Sequence, residues 1–152
     1  KENQKQRYFF PLNQETNFII NKFFRTITKK KKKINKILNI KGRDFKINNF
    51  YEGISRFDFK ELCDQNLGAE DYLEIAKVSN FMVIENIPQF TEVNLNQQLR
   101  FITFIDIVYD KNIPIAVTVN QNLDQFSSSK SLKKEFKRTI SRLYELTSTE
   151  YK

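Results

Sequence analysis

The chain has 152 residues, of which 39% are hydrophobic and 29% charged, so its composition supports a folded core and not disorder. Its formal net charge of +8 allows contact with nucleic acid, anionic lipid or acidic protein surfaces without choosing among them. The chain contains no histidine and one cysteine, Cys63. These counts exclude a Ser-His-Asp triad, a Cys-His dyad, a histidine-containing metal site and an internal disulfide.

We expect no signal peptide at the start of the chain. The polar start KENQKQR leads into no apolar segment of the kind found in signal peptides. No apolar run approaches the roughly 18 residues of a membrane span. Since the chain also lacks an initiator Met, we expect it to begin inside a longer protein.

The first predicted element is an amphipathic helix over residues 13–28. Apolar side chains recur there at helical spacing, and Asn13 stands at the position of an N-cap. Such a stripe requires a sheet or a second helix to cover it. The predicted inward stripe consists of Phe18, Ile19, Phe23 and Ile27, widened by Ile20 and Phe24.

Five consecutive lysines follow this helix. Their like charges repel one another, which predicts a solvated, mobile connection. The run is also a candidate basic patch for phosphate or lipid headgroups, and both interpretations stay open. No aromatic residue interrupts it, which argues against stacking of single-stranded bases. The run consists of Lys29, Lys30, Lys31, Lys32 and Lys33.

A β-hairpin is predicted next. Its strands lie over residues 37–40 and 45–47, around a turn in which Gly42 supplies the backbone freedom that a tight hairpin needs. A third strand is predicted further on, where Phe57 and Phe59 alternate with polar residues. We expect the three strands to form a small antiparallel sheet or one edge of a larger sheet.

From residue 67 onward, helical and strand patterns alternate. Helices are predicted over residues 69–78, 97–110 and 132–146, and the second of them is apolar almost all round. The apolar runs at residues 81–87 and 113–119 are typical of strands buried on both faces. A strand, a long helix and another strand in succession predict a right-handed parallel crossover.

The predicted fold class is therefore α/β. It consists of a mixed or parallel sheet with flanking helices, and of an N-terminal helix plus an antiparallel hairpin. Residues 1–152 are predicted to form a single α/β region, and any sub-boundary is expected near residues 50–66. Ligands of such sheets bind beyond the C-terminal ends of the strands, which here are the segments 85–89 and 120–123.

Two carboxylates on the buried helix are candidate functional groups. Asp106 and Asp110 lie four residues apart, with Arg100 and Thr103 on the same narrow polar face. One interpretation is a metal-binding or proton-transfer group. The other is a structural polar face in which Arg100 pairs with Asp106 or a neighbour, because buried charges are usually paired. We favour the pairing, and no metal site is predicted.

Two arginines on the closing helix form a second candidate. Arg138 and Arg142 lie four residues apart, so they share one face of the helix. Arginine suits bidentate contact with phosphate or carboxylate groups. The alternative is pairing within the helix, with Glu135 and Glu145 at spacings of three, which contributes only about 0.2–0.5 kcal/mol for each pair. Spacing alone does not decide between these interpretations.

The sequence contains no phosphate-binding loop. Such a loop needs glycines that let backbone N–H groups approach the phosphates, followed by a lysine and a serine or threonine. Gly42, Gly53 and Gly68 stand singly, and neither GxxxxGK[ST] nor GxGxxG occurs. We therefore expect the chain alone to bind no nucleotide cofactor.

Four motifs follow one another in the chain: FDFKELC, LGAEDYLEIAKVSNFMVIENIPQF, RFITFIDIVYDKNIPIAVT and FKRTISRLYELTSTEY. In order and spacing they resemble the C-terminal half of the ZapE-type ATPases, whose mitochondrial relatives are the lactation-elevated proteins. The upstream stretches RYFFPLNQETNFIINKFF and LNIKGRDFKI resemble the segment that follows the family's first half. The resemblance spans nearly the whole chain and rests on several coupled motifs.

This resemblance implies an AAA-like P-loop ATPase whose Walker motifs lie upstream of Lys1. ATP and Mg²⁺ are then cofactors of the full-length protein, and its upstream P-loop half is the first partner. The family is associated with FtsZ and the division ring in bacteria, and with inner-membrane protein quality control in mitochondria. For a bacterial source the resemblance implies a cytoplasmic location, which includes the surface of the inner membrane. For a eukaryotic source it implies a mitochondrial location. Arg138 and Arg142 resemble second-sensor or finger arginines, which stabilise charge on the γ-phosphate.

Three sites depart from the family pattern. The pair Glu85-Asn86 replaces an acidic pair, which argues against a catalytic carboxylate there. Leu99 replaces the first arginine of an RRFI motif, and Val119-Asn120 replaces Ser-Ala.

For the isolated chain two other hypotheses stay open. One is a non-catalytic protein-interaction module with a basic surface, and the other is a nucleic-acid binder, which is the least expected.

Overall fold

A computed structural model describes residues 6–150, which form two sheets and five α-helices. The strands are β1 (Tyr8–Phe9), β2 (Lys36–Ile40), β3 (Arg43–Ile47), β4 (Asn49–Tyr51), β5 (Ile54–Asp58), β6 (Phe81–Ile87) and β7 (Ile115–Val119). The helices are α1 (Gln14–Ile27), α2 (Phe59–Cys63), α3 (Ala69–Val78), α4 (Leu95–Asp110) and α5 (Lys133–Leu146).

The main sheet has the strand order β1-β7-β6-β5-β4. Strands β1, β7, β6 and β5 run parallel, and β4 closes the edge antiparallel to β5. β6, α4 and β7 form the predicted parallel crossover, and all five residues of β7 are buried, as its continuous apolar run requires. The predicted α/β class is therefore confirmed.

Helices cover the two faces of the main sheet unequally. One face carries α1, whose Ile20 packs with Phe81 and Val83 of β6. The other face carries α2 to α5, and it holds the larger part of the core, including Met82 and Ile84 of the same strand. Successive side chains of a strand point to opposite faces, so the unbroken apolar run of β6 serves both layers.

The buried face of α1 differs from the predicted stripe. Its buried residues are Thr16, Ile20 and Phe24, at a spacing of four. The predicted stripe also contained Phe18 and Ile19, which are 62% and 39% exposed, so that part of the prediction is wrong. Because α1 is the only helix on this face of the described chain, it touches the sheet along a narrow line. Its flanks therefore stay open.

The strands β2 and β3 form the predicted hairpin, a two-stranded antiparallel sheet of its own. Ion pairs hold it against α3: Lys41 Nζ lies 2.6 Å from a carboxylate oxygen of Glu70, and Arg43 pairs with Asp71. The inward apolar side chains of the hairpin join the larger core. The hairpin is thus a lateral addition to the helical layer.

The predicted third strand belongs to the main sheet. β5 is an internal strand that pairs with β4 and β6, whereas β2 and β3 form a sheet of their own, so both expectations for the three strands together are wrong. β5 ends at Asp58 because Asp58 and Glu61 form a capping box. Asp58 Oδ2 accepts a hydrogen bond from Lys60 N at 3.0 Å, and Glu61 Oε1 accepts one from Asp58 N at 2.8 Å. Phe59 is consequently the first residue of α2 and not part of a strand.

Arg7 fastens the first strand to the end of the last helix. Its Nε donates to the carbonyl oxygen of Ile115 at 3.0 Å, and its Nη2 donates to that of Leu146 at 3.0 Å. Its backbone N–H donates to the carbonyl oxygen of Thr147 at 2.8 Å, and its carbonyl oxygen accepts from Val117 N at 2.8 Å. Residues far apart in the sequence are thereby joined at one edge of the sheet.

Two tight turns hold glycines in the left-handed region of backbone conformation. Gly42 (φ 78°) follows Lys41 (φ 52°) between β2 and β3, and Gly53 (φ 95°) follows Glu52 (φ 48°) between β4 and β5. Two successive residues with positive φ form the turn that matches the twist of a hairpin. Gly68, with φ −139°, is ordinary extended backbone.

Alanine at either turn glycine is expected to lower the free energy of unfolding by about 1–2 kcal/mol, the cost of left-handed backbone for an L-residue. Gly53→Ala should be the worse of the two, because its new Cβ would lie 2.7 Å from Asn80 Nδ2 and displace that side chain. Gly68→Ala is the matched control, with no atom within 4 Å of the new Cβ. Urea unfolding measures all three, and equal effects at the three positions would contradict the explanation.

Candidate functional site

Both candidate arginines of α5 bind one carboxylate on α4. Arg138 Nη2 lies 3.1 Å from Asp106 Oδ2, and Arg142 Nη1 lies 2.5 Å from Asp106 Oδ1. The guanidinium carbon of Arg142 also stands 4.5 Å from the centre of the Tyr109 ring, in a cation–π contact. We call Asp106, Tyr109, Arg138 and Arg142 the acid–arginine cluster.

The acid–arginine cluster is open to solvent. The side chain of Arg138 is 48% exposed, that of Arg142 24% and that of Asp106 32%. A guanidinium carries five N–H donors, and each arginine gives one of them to Asp106. Since one carboxylate faces two guanidiniums, the cluster has an excess of positive charge. It can therefore accept a phosphate or a second carboxylate.

The cluster lies away from the C-terminal ends of the strands. α4 starts beyond the C-terminal end of β6 and returns to the start of β7. Its last turns therefore lie near the N-terminal ends of the parallel strands. α5 runs parallel to α4. Ser129 Oγ donates to Gln98 Oε1 at 2.7 Å near the two helix starts, and Tyr109 Oη lies 3.0 Å from Glu145 Oε1 near their ends. A nucleotide that reaches the arginines must therefore be held by another part of the protein.

The predicted polar face of α4 is divided between two neighbouring helices. Arg100 Nη1 donates to the carbonyl oxygen of Cys63 at 3.0 Å, which joins α4 to α2. Asp106 faces α5, so the predicted pair of Arg100 with Asp106 is wrong. Spacing along one helix cannot show which element packs on each side of it. Asp110 is exposed and forms no ion pair within residues 6–150.

Of the two interpretations left open for α5, pairing within the helix is not what the structure shows. Both arginines turn to Asp106 on the neighbouring helix and not to Glu135 or Glu145. Glu145 accepts a hydrogen bond from Tyr109, which raises the pKa of the Tyr109 hydroxyl. The helix pair is thus joined by contacts between helices. The catalytic role of the arginines stays a prediction.

A cleft of about 410 Å³ lies at the predicted ligand edge, beyond the ends of β5 and β6. Asn86, in left-handed backbone at φ 65°, donates from Nδ2 to Asp58 Oδ1 at 2.5 Å and from its backbone N to Thr118 Oγ1 at 2.7 Å. Asp58 was not among the candidate site residues, although the spacing of Asp58 and Glu61 signals a capping box. Its carboxylate is used by the cap and by Asn86, whereas Lys60 lines the cleft and forms no ion pair with another described residue.

Glu85 faces α1 and not this cleft. Its carboxylate forms a two-point ion pair with Arg56, whose Nη2 lies 2.9 Å from Glu85 Oε1. Arg56 also donates to Asn21 Oδ1 at 2.6 Å, and its guanidinium stands 4.8 Å from the centre of the Phe24 ring. Both charged side chains are mostly buried. The pair joins the sheet to α1, which is a structural role.

Residues 6–150 contain no phosphate cradle. Gly42 and Gly53 are used in hairpin turns, and Gly68 N donates to Asp71 Oδ2 at 2.8 Å, so the start of α3 is already capped by a carboxylate. Among the described residues, no group of three or more Asp, Glu or Cys side chains could hold a metal ion. Binding of ATP and Mg²⁺ by the full-length protein stays a prediction.

The lysine run lies on the connection between α1 and β2. Lys31 is half-buried and the other four lysines are exposed. Lys33 forms an isolated antiparallel bridge with Tyr51, and Ile34 N donates to the carbonyl oxygen of Phe50 at 2.8 Å, so the connection is anchored to β4 at its end. Contact of this run with phosphate or lipid stays a prediction. In the part of the chain that the structure describes, every helix is too short or too polar to cross a membrane.

The single cysteine is buried at the end of α2, beside Tyr72. Burial raises the pKa of the Cys63 thiol well above its ordinary value. Burial likewise raises the pKa of the Tyr72 hydroxyl, whose oxygen donates to the carbonyl oxygen of Leu62 at 2.6 Å. Cys63 is therefore a protonated, inert core residue at neutral pH and not a nucleophile.

We expect the free energy of unfolding to fall as the pH rises above about 8.5, the ordinary pKa of a thiol. The unfolded chain then loses a proton that the folded chain keeps, so stability declines by up to about 1.4 kcal/mol per pH unit for each such group. Urea unfolding at a series of pH values measures the decline. In Cys63→Ala it should begin only near pH 10, where tyrosines ionise. An unchanged onset would show that the thiol contributes nothing.

Comparisons with known proteins extend these observations. The AFG1-like ATPase family model matches residues 1–152. The cell division protein ZapE of Escherichia coli K12 is 24% identical over 148 residues, which cover 97% of this chain and 40% of that protein. Lactation elevated protein 1 homolog B of Danio rerio is 36% identical over 90 residues, or 59% of this chain and 18% of that protein. No solved structure matches the chain significantly.

The mostly parallel sheet, with helices on both faces, is of the kind that P-loop NTPases share. Since the family model matches the chain from end to end, the chain belongs to the AFG1-like ATPase family. The resemblance to ZapE-type ATPases is thereby confirmed. The chain spans less than half the length of either relative described above.

Proposed function

We propose that this chain is the C-terminal portion of an ATP-hydrolysing protein, whose upstream half binds ATP and Mg²⁺. Membership of the family supports the activity of the whole protein. The absence of a phosphate cradle within residues 6–150 supports the assignment of nucleotide binding to the upstream half. This portion then contributes charged groups and binding surfaces, and the upstream half holds the nucleotide.

The observation that carries the proposal is the acid–arginine cluster. Arg138 and Arg142 converge on one half-exposed carboxylate and keep unused donors. In the assembled protein, the γ-phosphate of a nucleotide bound elsewhere takes the place of Asp106 as the partner of one or both arginines. A guanidinium so placed stabilises the charge that develops during phosphoryl transfer.

The cellular role that we propose follows the bacterial relative, which is named a cell division protein. ATP turnover would then drive remodelling of a division-ring client such as FtsZ, in the cytoplasm and at the surface of the inner membrane. The lysine run is the candidate contact with that surface. In a eukaryotic source, the corresponding role is mitochondrial protein quality control.

A second function is a non-catalytic interaction module with a basic surface. The net charge of +8 and the exposed lysines favour it for the isolated chain. The two functions differ in what the upstream half must do. Only the first requires that half to bind nucleotide.

Phosphate release from ATP in the presence of Mg²⁺ tests the proposal. The full-length protein should turn over ATP, and the 152-residue chain alone should not. A matched preparation of the full-length protein with the phosphate-loop lysine replaced by alanine controls for contaminating ATPases. Turnover by the isolated chain, or none by the full-length protein, would overturn the proposal.

A further inference from the structure

A groove of about 490 Å³ lies between the segment that follows β7 and the first half of α5. Its floor is apolar and consists of Leu123, Phe126, Phe136 and Ile140. The rings of Phe126 and Phe136 lie 5.8 Å apart, and both contact the buried ring of Phe90. The floor is therefore continuous with the core and is rigidly supported. A volume of this size accommodates several side chains of a bound segment.

Lysines form the rim of this groove. Lys130, Lys133 and Lys137 line it together with one acid, Asp124. On α5, Lys133 and Lys137 alternate with the apolar floor residues of the same helix, at spacings of three and four. None of the three lysines forms an ion pair with another described residue. The lining thus combines an apolar floor with a rim on which three lysines outnumber one acid, and we call it the lysine groove.

Side-chain hydrogen bonds from Gln89 and Gln98 hold one wall of the lysine groove in place. Gln98, which is fully buried, accepts from Ser129 Oγ at 2.7 Å and donates to Ser128 Oγ at 2.7 Å. Gln89 Oε1 accepts from Ser127 N at 2.8 Å and from its hydroxyl at 2.9 Å. These side-chain contacts fix the loop that forms one wall. A preformed wall lowers the entropy lost when a partner binds.

We propose that the lysine groove binds an acidic, amphipathic segment of a partner protein. Apolar side chains of that segment lie on the floor, and its Asp and Glu residues face the three lysines. Charge complementarity of this kind selects partners and accelerates their association. A short helix that presents apolar residues on one face and acids beside them has the required pattern.

Nucleic acid fits the same groove less well. Sequence-tolerant binding of single strands uses exposed aromatic rings on which bases stack. Here Phe136 is 2% exposed, so the half-buried Phe126 is the only ring of the groove lining that a base could contact, and a run of bases has no second ring to stack on. The rim charges alone would attract any polyanion, whereas the apolar floor stabilises only a ligand that has apolar side chains. The proposal depends on both features together.

Fluorescence polarisation with a labelled synthetic peptide tests this site on the 152-residue chain. The probe carries Leu and Phe at helical spacing with Glu and Asp between them, and a second probe has Gln and Asn in place of the acids. The acidic probe should bind, and the double variant Lys133→Glu, Lys137→Glu should weaken binding at least about tenfold. Ile140→Ser should weaken it as well. The neutral probe should bind far less tightly than the acidic one.

The matched control is Lys30→Glu, Lys32→Glu, which changes the net charge equally on the lysine run and should alter binding by no more than about twofold. An equal loss in this control, or tight binding of an RNA oligomer that the groove variant abolishes, would overturn the proposal. So would a dimer of the chain that the groove variant dissociates. Amide shifts of Ser127 and Lys137 on titration of the wild type with the probe check the location without any substitution. Because the assay contains no ATP, its failure is distinct from failure of the proposed ATPase function.

Discussion

Replacement of the arginines of the acid–arginine cluster by alanine is expected to lower ATP turnover in the full-length protein. Arg138→Ala and Arg142→Ala are made singly, and the more severe should reduce the rate of hydrolysis by about 10³-fold, the scale of a finger arginine. The loss is electrostatic, because the transition state carries charge that the guanidinium neutralises. Steady-state phosphate release and nucleotide affinity are measured for each variant.

A control must distinguish a role of the arginines in phosphoryl transfer from a purely structural role, in which they only hold α4 against α5. Asp106→Asn removes the charge that both arginines bind but leaves the arginines in the protein. If the arginines act on nucleotide, this variant loses stability without a comparable loss of turnover. Arg25→Ala, on α1 and outside the cluster, controls for loss of a surface arginine. Retention of wild-type turnover and nucleotide affinity by both arginine variants would end the hypothesis.

Phe90→Ala is expected to lower the free energy of unfolding by about 3–5 kcal/mol, as large truncations in a core do. Phe90 is fully buried, and its ring centre lies 5.4–5.9 Å from those of Phe59, Phe101, Phe126 and Phe136. These rings come from α2, α4, α5 and the loop after β7, so a cavity at Phe90 loosens all of them. Urea unfolding, followed by circular dichroism, gives the change.

Phe18→Ala is the matched control for that truncation. The same atoms are removed from a side chain that is 62% exposed, so stability should change by no more than about 0.5 kcal/mol. Similar effects of the two substitutions would mean that the aromatic cluster does not hold the helical layer. Binding of the acidic probe to the lysine groove should weaken in Phe90→Ala alone, because Phe90 supports the floor of that groove.

Elements in which apolar residues recur with a clear helix or strand periodicity could be predicted from the sequence almost to the residue. The helix expected over residues 69–78 is α3, and the strand expected over 81–87 is β6. Strands β1 and β4 were not predicted, because two or three residues carry no period. They form because β7 and β5 offer neighbouring edges, which only the assembled sheet provides.

The candidate site could be predicted only in part for a similar reason. Helical spacing shows that Arg138 and Arg142 share a face, but it is silent on which helix lies opposite. Their partner, Asp106, is 36 residues from Arg142 in the chain and comes within reach only through helix packing. The lysine groove needs two segments to meet, α5 and the loop after β7, so neither segment alone reveals it.

The hydrogen bonds by which Arg7 joins β1 to the end of α5 have a consequence for synthesis on the ribosome. β1 pairs with β7, and Arg7 binds the carbonyl oxygens of Leu146 and Thr147 at the end of α5, so β1 gains its full set of contacts only after α5 has emerged. Pairings so distant in sequence slow folding. Until then the nascent chain carries Tyr8 and Phe9 unprotected. We expect a chain truncated before α5 to leave β1 undocked, and to be cleaved near its N-terminus in limited proteolysis.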